Sequence, residues 1–288
     1  MQIGFIGLGN LGTPIAENLL EQHKDLMVYN RTEAKTKPLQ EKGAKVCKTV
    51  AELAKACDVV FTIISNDAAI KEVTDGEDGI AKNLKVGGLH ISMSTILPAT
   101  SDELFKLHEQ HKNHYIAAPV AGRPEAAKAK KLNFMVSGDV EIIEKLKPLL
   151  NDAGAVNIWE YGDKPGNSNV AKLCTNYMIQ AALQSMSESI SLAQKSGIDE
   201  KQLMTMLTST LFNSPIFINY GKIVLEQAFQ PAAFSLELGL KDATLIKKQA
   251  EISGTKMPLG NLIQQEYTEL FDNGYKDYDW SALGLSLQ

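Results

Sequence analysis

Short, nearly unbroken apolar runs alternate with stretches of helical spacing through the first half of the chain, and then the runs stop. QIGFIG, LMVYN, AKVCKT, DVVFTIIS, LHISMS and YIAAPV read as strands. Between them, segments such as Pro14 to Glu21 and Ala51 to Ala56 carry apolar residues three and four apart. Continuous apolar strands alternating with helices predict a parallel sheet covered on both faces. NFMVSG and NIWEYG extend the strand pattern to about residue 162. After Gly162-Asp163-Lys164-Pro165-Gly166 strand signals almost vanish, and helices are expected near 167–196, 199–211, 215–228, 234–252 and 258–273. The pattern places a doubly wound α/β domain over residues 1–163 and an all-α domain over 164–288. The first helix of the second part is unusually long and is expected to join the two halves, with its opening turns at their junction, where sites form.

GFIGLGNLGTPIAENLL gives the first half a chemical identity. Gly7, Gly9 and Gly12 fall between a strand and a helix whose inward face is Ile15, Ala16, Leu19 and Leu20. In a Rossmann-type domain the first glycine permits the turn, the second admits a pyrophosphate, and the third lets the helix pack closely. Strand, glycines, helix and second strand arrive in the order a dinucleotide site requires, so Gly7, Gly9 and Gly12, with Asn10 and Leu11 between them, are assigned to a cofactor. The second strand ends at Asn30, where an NAD site carries an acidic residue for the ribose 2′-hydroxyl. Here Asn30-Arg31-Thr32 stands instead. A carboxylate repels a 2′-phosphate, whereas a guanidinium and a hydroxyl bind it, so NADP is favoured and NAD is the weaker alternative. Arg31 as a merely solvated loop residue stays open.

GNSNVAKLCTNYM, at 166 to 178, opens the long helix with an anomaly. Lys172 and Asn176 lie four apart on a face continued by Ile179, Leu183, Met186 and Ile190. Val170, Leu173, Cys174, Tyr177, Met178 and Ala181 cover the opposite side, so the helix is expected to be apolar all round and buried. Hydride transfer to or from a carbon–oxygen centre needs a proton at the oxygen, which a phosphate-binding turn does not supply. Desolvation disfavours an ammonium's charge, so a partly buried lysine can alternate between ammonium acid and amine base. Snorkelling into solvent, or a structural ion pair, are the other roles the spacing allows Lys172.

Other features narrow the class. The chain has 288 residues, with 29 basic and 34 acidic side chains, and this balance lacks the basic footprint of a nucleic-acid binder. Cys47, Cys57 and Cys174 are widely spaced and suit reduced thiols in a cytoplasm. No apolar run approaches the roughly 20 residues of a membrane span. His108, His111 and His114 suggest a metal only superficially; without a convincing third ligand they read as a solvated helix end, and no metal is expected. Ser94 lacks the histidine and carboxylate of a hydrolase. Lys241, on a stripe with Phe234, Leu238, Leu245 and Ile252, is expected to point inward; a pair with Asp242 or a surface position are the other roles open to it.

Five ordered motifs carry a resemblance over nearly the whole length: IGFIGLGNLGTPIAENLL, SMSTILPAT at 92 to 100, APVAGRPEAA at 118 to 127, GNSNVAKLCTN at 166 to 176, and LKDATL at 240 to 245. The chain resembles the β-hydroxyacid dehydrogenase family, which includes 3-hydroxyisobutyrate dehydrogenases, tartronate semialdehyde reductases and glyoxylate/succinic semialdehyde reductases. The resemblance implies that Lys172 is the acid/base and Asn176 a substrate contact, that Thr95 lies beside nicotinamide and substrate, and that Lys241 reaches the cofactor. It departs where many members have Ser-Gly-Gly after Pro-Val: this chain has Ala121-Gly122-Arg123. A substrate-binding hydroxyl is missing, and Gly122 and Arg123 become substrate-site candidates. Arg123 can clamp a carboxylate through two nitrogens or point outward ahead of Pro124.

The expected activity is an NADP-preferring reduction of a small, carboxylate-bearing aldehyde or keto acid by a cytoplasmic homodimer or homotetramer. An imine reductase on the same scaffold is the enzymatic alternative, kept open by Ala121 although such relatives generally lack the lysine. A catalytically silent NADP-binding scaffold is the alternative of another class, opposed by the retention of Lys172.

Overall fold

The computed structural model describes residues 1–287 and contains a six-stranded sheet in the order β3-β2-β1-β4-β5-β6, all of its neighbouring strands parallel. The strands are β1 (Ile3–Ile6), β2 (Met27–Tyr29), β3 (Lys45–Val46), β4 (Val59–Thr62), β5 (Leu89–Ser92) and β6 (His114–Ala117). Every residue of β1, β4 and β5 is buried, as the unbroken apolar runs require of strands covered on both faces. The order reverses between β1 and β4, which pair residue for residue from Ile3 with Val59 to Ile6 with Thr62. The crevice beyond the carboxyl ends of these two strands is where a doubly wound sheet receives a dinucleotide.

YIAAPV does not run as one strand. β6 ends at Ala117, Pro119 has no N–H to continue a ladder, and Val120–Ala121 form β7 in a second sheet. There β7 pairs antiparallel with β8 (Leu132–Val136), which pairs parallel with β9 (Ala155–Glu160). NFMVSG and NIWEYG therefore build a separate three-stranded sheet instead of extending the first.

The chain divides into compact units Met1–Lys172 and Leu173–Gln288, a division that falls inside the 30-residue helix Gly166–Lys195. The second unit continues with helices Glu200–Ser209, Pro215–Leu225, Leu236–Ser253 and Pro258–Leu270. Its core gathers Leu183, Met186, Ile190, Leu236, Ile263, Tyr267 and Trp280. Among the described residues no helix is long and apolar enough to cross a membrane.

The long helix is not buried all round: Met178 and Leu192 are 67% and 70% exposed, and Cys174 is exposed too. Nor is its buried stripe apolar beyond Lys172 and Asn176. Asn169, Gln180, Gln184 and Ser187 are buried along the same face. Gln180 Nε2 donates to the Gly239 carbonyl at 3.0 Å, so this helix meets the helix Leu236–Ser253 partly through polar contacts.

His108 corrects the reading of a solvated helix end. The helix Pro98–Gln110 places it inside, fully buried, against His90 of β5. Asn113 Nδ2 donates to the carbonyls of Ala81 and Leu84, which turns its Oδ1 toward His108 Nδ1 at 2.5 Å. His108 Nδ1 must then donate, His108 Nε2 accepts from His90 Nδ1 at 2.9 Å, and His90 Nε2 accepts from Thr62 Oγ1 at 2.8 Å. Both rings are neutral in this chain. Burial pushes His108 down to about 4 and His90 well below the usual imidazole range. Burial likewise raises the thiols of Cys47 and Cys57, to about 11 and about 12, which makes them packing groups.

Candidate active site

The glycine turn leaves β1 at the reversal of the sheet. Gly7 has φ +103°, and a Cβ there would lie 2.3 Å from the Ile63 carbonyl oxygen just past β4. A Cβ on Gly12 would meet the Gly7 carbonyl at 2.0 Å, so the helix Gly12–Gln22 starts directly against the turn. Gly9 faces open space, with no atom within 4 Å of a Cβ position. Asn10 is exposed and Leu11 half-buried at the mouth of the same helix. A closed turn, an open glycine face and a helix N-terminus aimed at it form a cradle that fits a pyrophosphate.

Asn30 has a more structural task than its place at the end of β2 suggests. Its Oδ1 accepts from Leu8 N and its Nδ2 donates to the Thr32 carbonyl, both at 2.9 Å. The amide thus ties the glycine turn to the loop carrying Arg31 and Thr32, which are exposed. No carboxylate occupies Asn30, Arg31 or Thr32.

Beyond β5, Ser94 Oγ accepts from Ile64 N at 2.8 Å, which joins the ends of β4 and β5 and leaves Thr95 half-buried just past the join. Gly122 and Arg123 follow β7. Gly122 has φ +150° and faces Leu132, and Arg123 precedes the helix Pro124–Lys128 with Nε 3.8 Å from a Glu125 carboxylate oxygen. At least one orientation of Arg123 is therefore shared with a neighbouring acid.

The first turn of the long helix is pinned to the first unit from three directions. Gly166 N donates to Asp102 Oδ1 at 2.9 Å, Ser168 N to Ser137 Oγ at 3.0 Å, and Asn169 Nδ2 to the Ser94 carbonyl at 3.2 Å. Lys172 follows at 9% exposure, too enclosed for a side chain lying along the surface. One turn on, buried Asn176 donates through Nδ2 to Asp242 Oδ2 at 2.5 Å, which turns its Oδ1 away from that carboxylate.

On the helix Leu236–Ser253 the inward residue is Asp242, 1% exposed, and not Lys241. The buried residues are Leu236, Gly239, Asp242, Ala243, Leu245, Ile246 and Ala250, so Leu245 is inside as expected, whereas Ile252 is 66% exposed. Lys241 lies at the flank with Nζ 2.6 Å from Asp242 Oδ1. Asp242 therefore holds Asn176 and Lys241 at once. Asp102, Ser137, Asn169 and Asp242 escape a reading of the sequence, although the polar residues of GNSN on an otherwise buried face were a signal.

The first half of the chain, residues 2–162, matches the NAD binding domain of 6-phosphogluconate dehydrogenase. Residues 166–285 match the NAD-binding family model of NADP-dependent 3-hydroxyisobutyrate dehydrogenase. An uncharacterized oxidoreductase of Bacillus subtilis, YfjR, is 39% identical over 98% of both chains. The chloroplastic glyoxylate/succinic semialdehyde reductase 2 of Arabidopsis thaliana is 29% identical over 98% of this chain and 78% of its own. A solved structure described as Psf3 in complex with NADP+ and 2-OPP superposes with a TM-score of 0.90 at 25% identity, covering 99% of this chain and 100% of that one. An imine reductase of Bacillus cereus shares the fold at a TM-score of 0.65 and 20% identity, covering 98% and 97% of the two chains.

Proposed function

We propose that this chain, which belongs to the β-hydroxyacid dehydrogenase family, is an NADPH-preferring reductase of a small aldehyde or keto acid, reversible toward the hydroxy acid. Its fold and its relatives make it a nicotinamide-dependent oxidoreductase of the hydroxyacid dehydrogenase type. Residues 1–163 are read as the cofactor domain and 164–288 as the substrate and oligomerisation domain.

The observation that carries the reading is Lys172, enclosed one turn beyond a helix start held by Asp102, Ser137 and Ser94. Gly7, Gly9, Asn10, Leu11 and Gly12 would hold the pyrophosphate. Asn30 would shape the loop whose Arg31 and Thr32 bind a 2′-phosphate, and Thr95 and Lys241 complete the cofactor contacts. When bound, the reduced nicotinamide supplies a hydride to the carbonyl carbon. Lys172, as ammonium, donates its proton to the oxygen on which negative charge develops, and as amine it takes that proton back in the oxidation. Asn176 commits one Nδ2 hydrogen to Asp242 and offers the other to the same substrate oxygen that Lys172 serves. Thr95, Gly122 and Arg123 line the substrate's other end, where the guanidinium takes the carboxylate in the absence of the usual serine.

The absence of an acidic residue from Asn30-Arg31-Thr32 supports NADPH, as does the NADP+ complex of the similar solved structure. The name of the plant relative supports glyoxylate or succinic semialdehyde as the substrate type. Exposed Met178, Leu192, Leu211 and Ile252 on the second unit support a homodimer or homotetramer assembled through its helices. The test is NADPH oxidation with glyoxylate, succinic semialdehyde, methylmalonate semialdehyde, tartronate semialdehyde and a cyclic imine. Turnover of an aldehyde acid is expected; turnover of the imine alone transfers the chain to the imine reductases.

A further inference from the structure

We propose that Asn169 is a cofactor contact whose side-chain carbonyl accepts an N–H from the carboxamide of the nicotinamide. This rests on the nicotinamide site proposed above and adds to it a residue with no assigned role. Asn169 is 1% exposed in the first turn of the long helix, three residues before Lys172 and on the same face. Its Nδ2 donates to the Ser94 carbonyl at 3.2 Å. That contact fixes the amide's orientation, since a flip would set two carbonyl oxygens against each other. Oδ1 is the amide atom left over, and it is buried without a hydrogen-bond partner among the described residues. A buried acceptor left unmatched is costly, and folded proteins rarely keep one without a group to fill it.

The position tells which donor. Ser94 is fixed to Ile64 N, so Asn169 is tied to the ends of β4 and β5, of which β4 also borders the β1–β4 dinucleotide crevice, and Thr95 directly follows Ser94. The carbonyl and carboxylate of an aldehyde or keto acid offer acceptors only. The hydroxyl of the product acid donates, but its proton is the one that Lys172 exchanges. The carboxamide N–H is the donor left on the nicotinamide itself, and the ribose hydroxyls are the competing donors on the same half of the cofactor. A bond from Asn169 to the carboxamide fixes the ring's rotation, and so the face it turns to the carbon that Lys172's oxygen partner belongs to.

The test compares binding of three oxidised cofactors by calorimetry: NADP+, its thionicotinamide analogue, which keeps the NH2, and its 3-acetylpyridine analogue, which carries a methyl group instead. Wild type should bind the first two about tenfold more tightly than the third, the effect of one missing donor at a buried acceptor. Asn169→Leu should weaken the first two to the level of the third and leave the third unchanged. Equal affinity of wild type for all three, or a variant that keeps the wild-type ratio, overturns the proposal. Uniform weakening of all three by Asn169→Leu assigns the effect to a ribose hydroxyl or to packing and also overturns it. If wild type binds none of them, the nicotinamide site fails and this contact with it; if wild type binds and the ratio is flat, only this contact fails. Should Asn169→Leu not fold, the wild-type ratio and Asn169→Ser decide the same question.

Discussion

Acid should weaken this fold, because two neutral histidines are sealed inside it. His108 is held at about 4 by burial, against an ordinary 6.5, and His90 is displaced in the same direction. In the unfolded chain both rings take up a proton near 6.5, while in the folded chain His108 does so only near 4, so the unfolded state binds more protons between those values. Stability is complete above about pH 7 and falls as the pH drops through that window. Between pH 7.5 and 5.0, the change for His108 alone is about 2 kcal/mol, rising to a limit of about 3 kcal/mol below its folded value. His90 adds to the loss. Glu21 beside Lys130 and Glu77 beside Lys82 are held below their usual range by those lysines, and the comparison with a His108 variant separates the histidine contribution from theirs. Urea unfolding at the two pH values gives the wild-type loss. His108→Leu should cost about 1 to 3 kcal/mol at pH 7.5, since it leaves Asn113 Oδ1 and His90 Nδ1 without partners. The same variant should flatten the pH dependence by about 2 kcal/mol. If it is destabilised equally at both pH values, the account of a neutral histidine chain is wrong.

Further outcomes follow from the site. Lys172→Met should bind NADPH by fluorescence titration as wild type does and lose about 10² to 10⁴ in turnover, the usual contribution of a general acid; near wild-type turnover would return the lysine to packing. Arg31→Asp should move the kcat/KM ratio toward NADH by about tenfold to a hundredfold, the worth of one charge-assisted phosphate contact, and wild type that uses both cofactors equally would refute the reading of the loop. Asp242→Leu should raise KM for the aldehyde acid and weaken NADPH together, because one carboxylate holds both Asn176 and Lys241; a change in only one would show that the two are positioned independently. Gly12→Ala should lower both thermal stability and cofactor affinity, since its Cβ would collide with the Gly7 carbonyl, and unchanged values for both would refute that packing.

What could be read in the sequence was whatever repeats along one element. Unbroken apolar runs required a covered parallel sheet, and the glycine spacing required a turn that packs against its own helix; both are local patterns with one structural solution. The second sheet was hidden because a single residue, Pro119, decides that a strand must stop and restart against different neighbours, and apolarity does not change across it. His108 was misplaced for the opposite reason. Its flanks in HEQHKNH are polar, yet burial depends on a partner 18 residues away in β5 and on an amide at 113 whose own donors are taken by Ala81 and Leu84. The candidate site divides along the same line. Lys172 and Asn176 stood out because they break an apolar stripe, and the long helix does bury both. Asp242 did not, because beside a lysine it reads as half of a surface pair, and only the packing of its helix, one residue out of phase with the apolar stripe expected for Lys241, turns the carboxylate inward. A substitution that restores that phase, exchanging the pair as Lys241→Asp with Asp242→Lys, keeps composition and net charge. It should still abolish substrate binding, because it would bury an ammonium against the Asn176 donor that now meets a carboxylate.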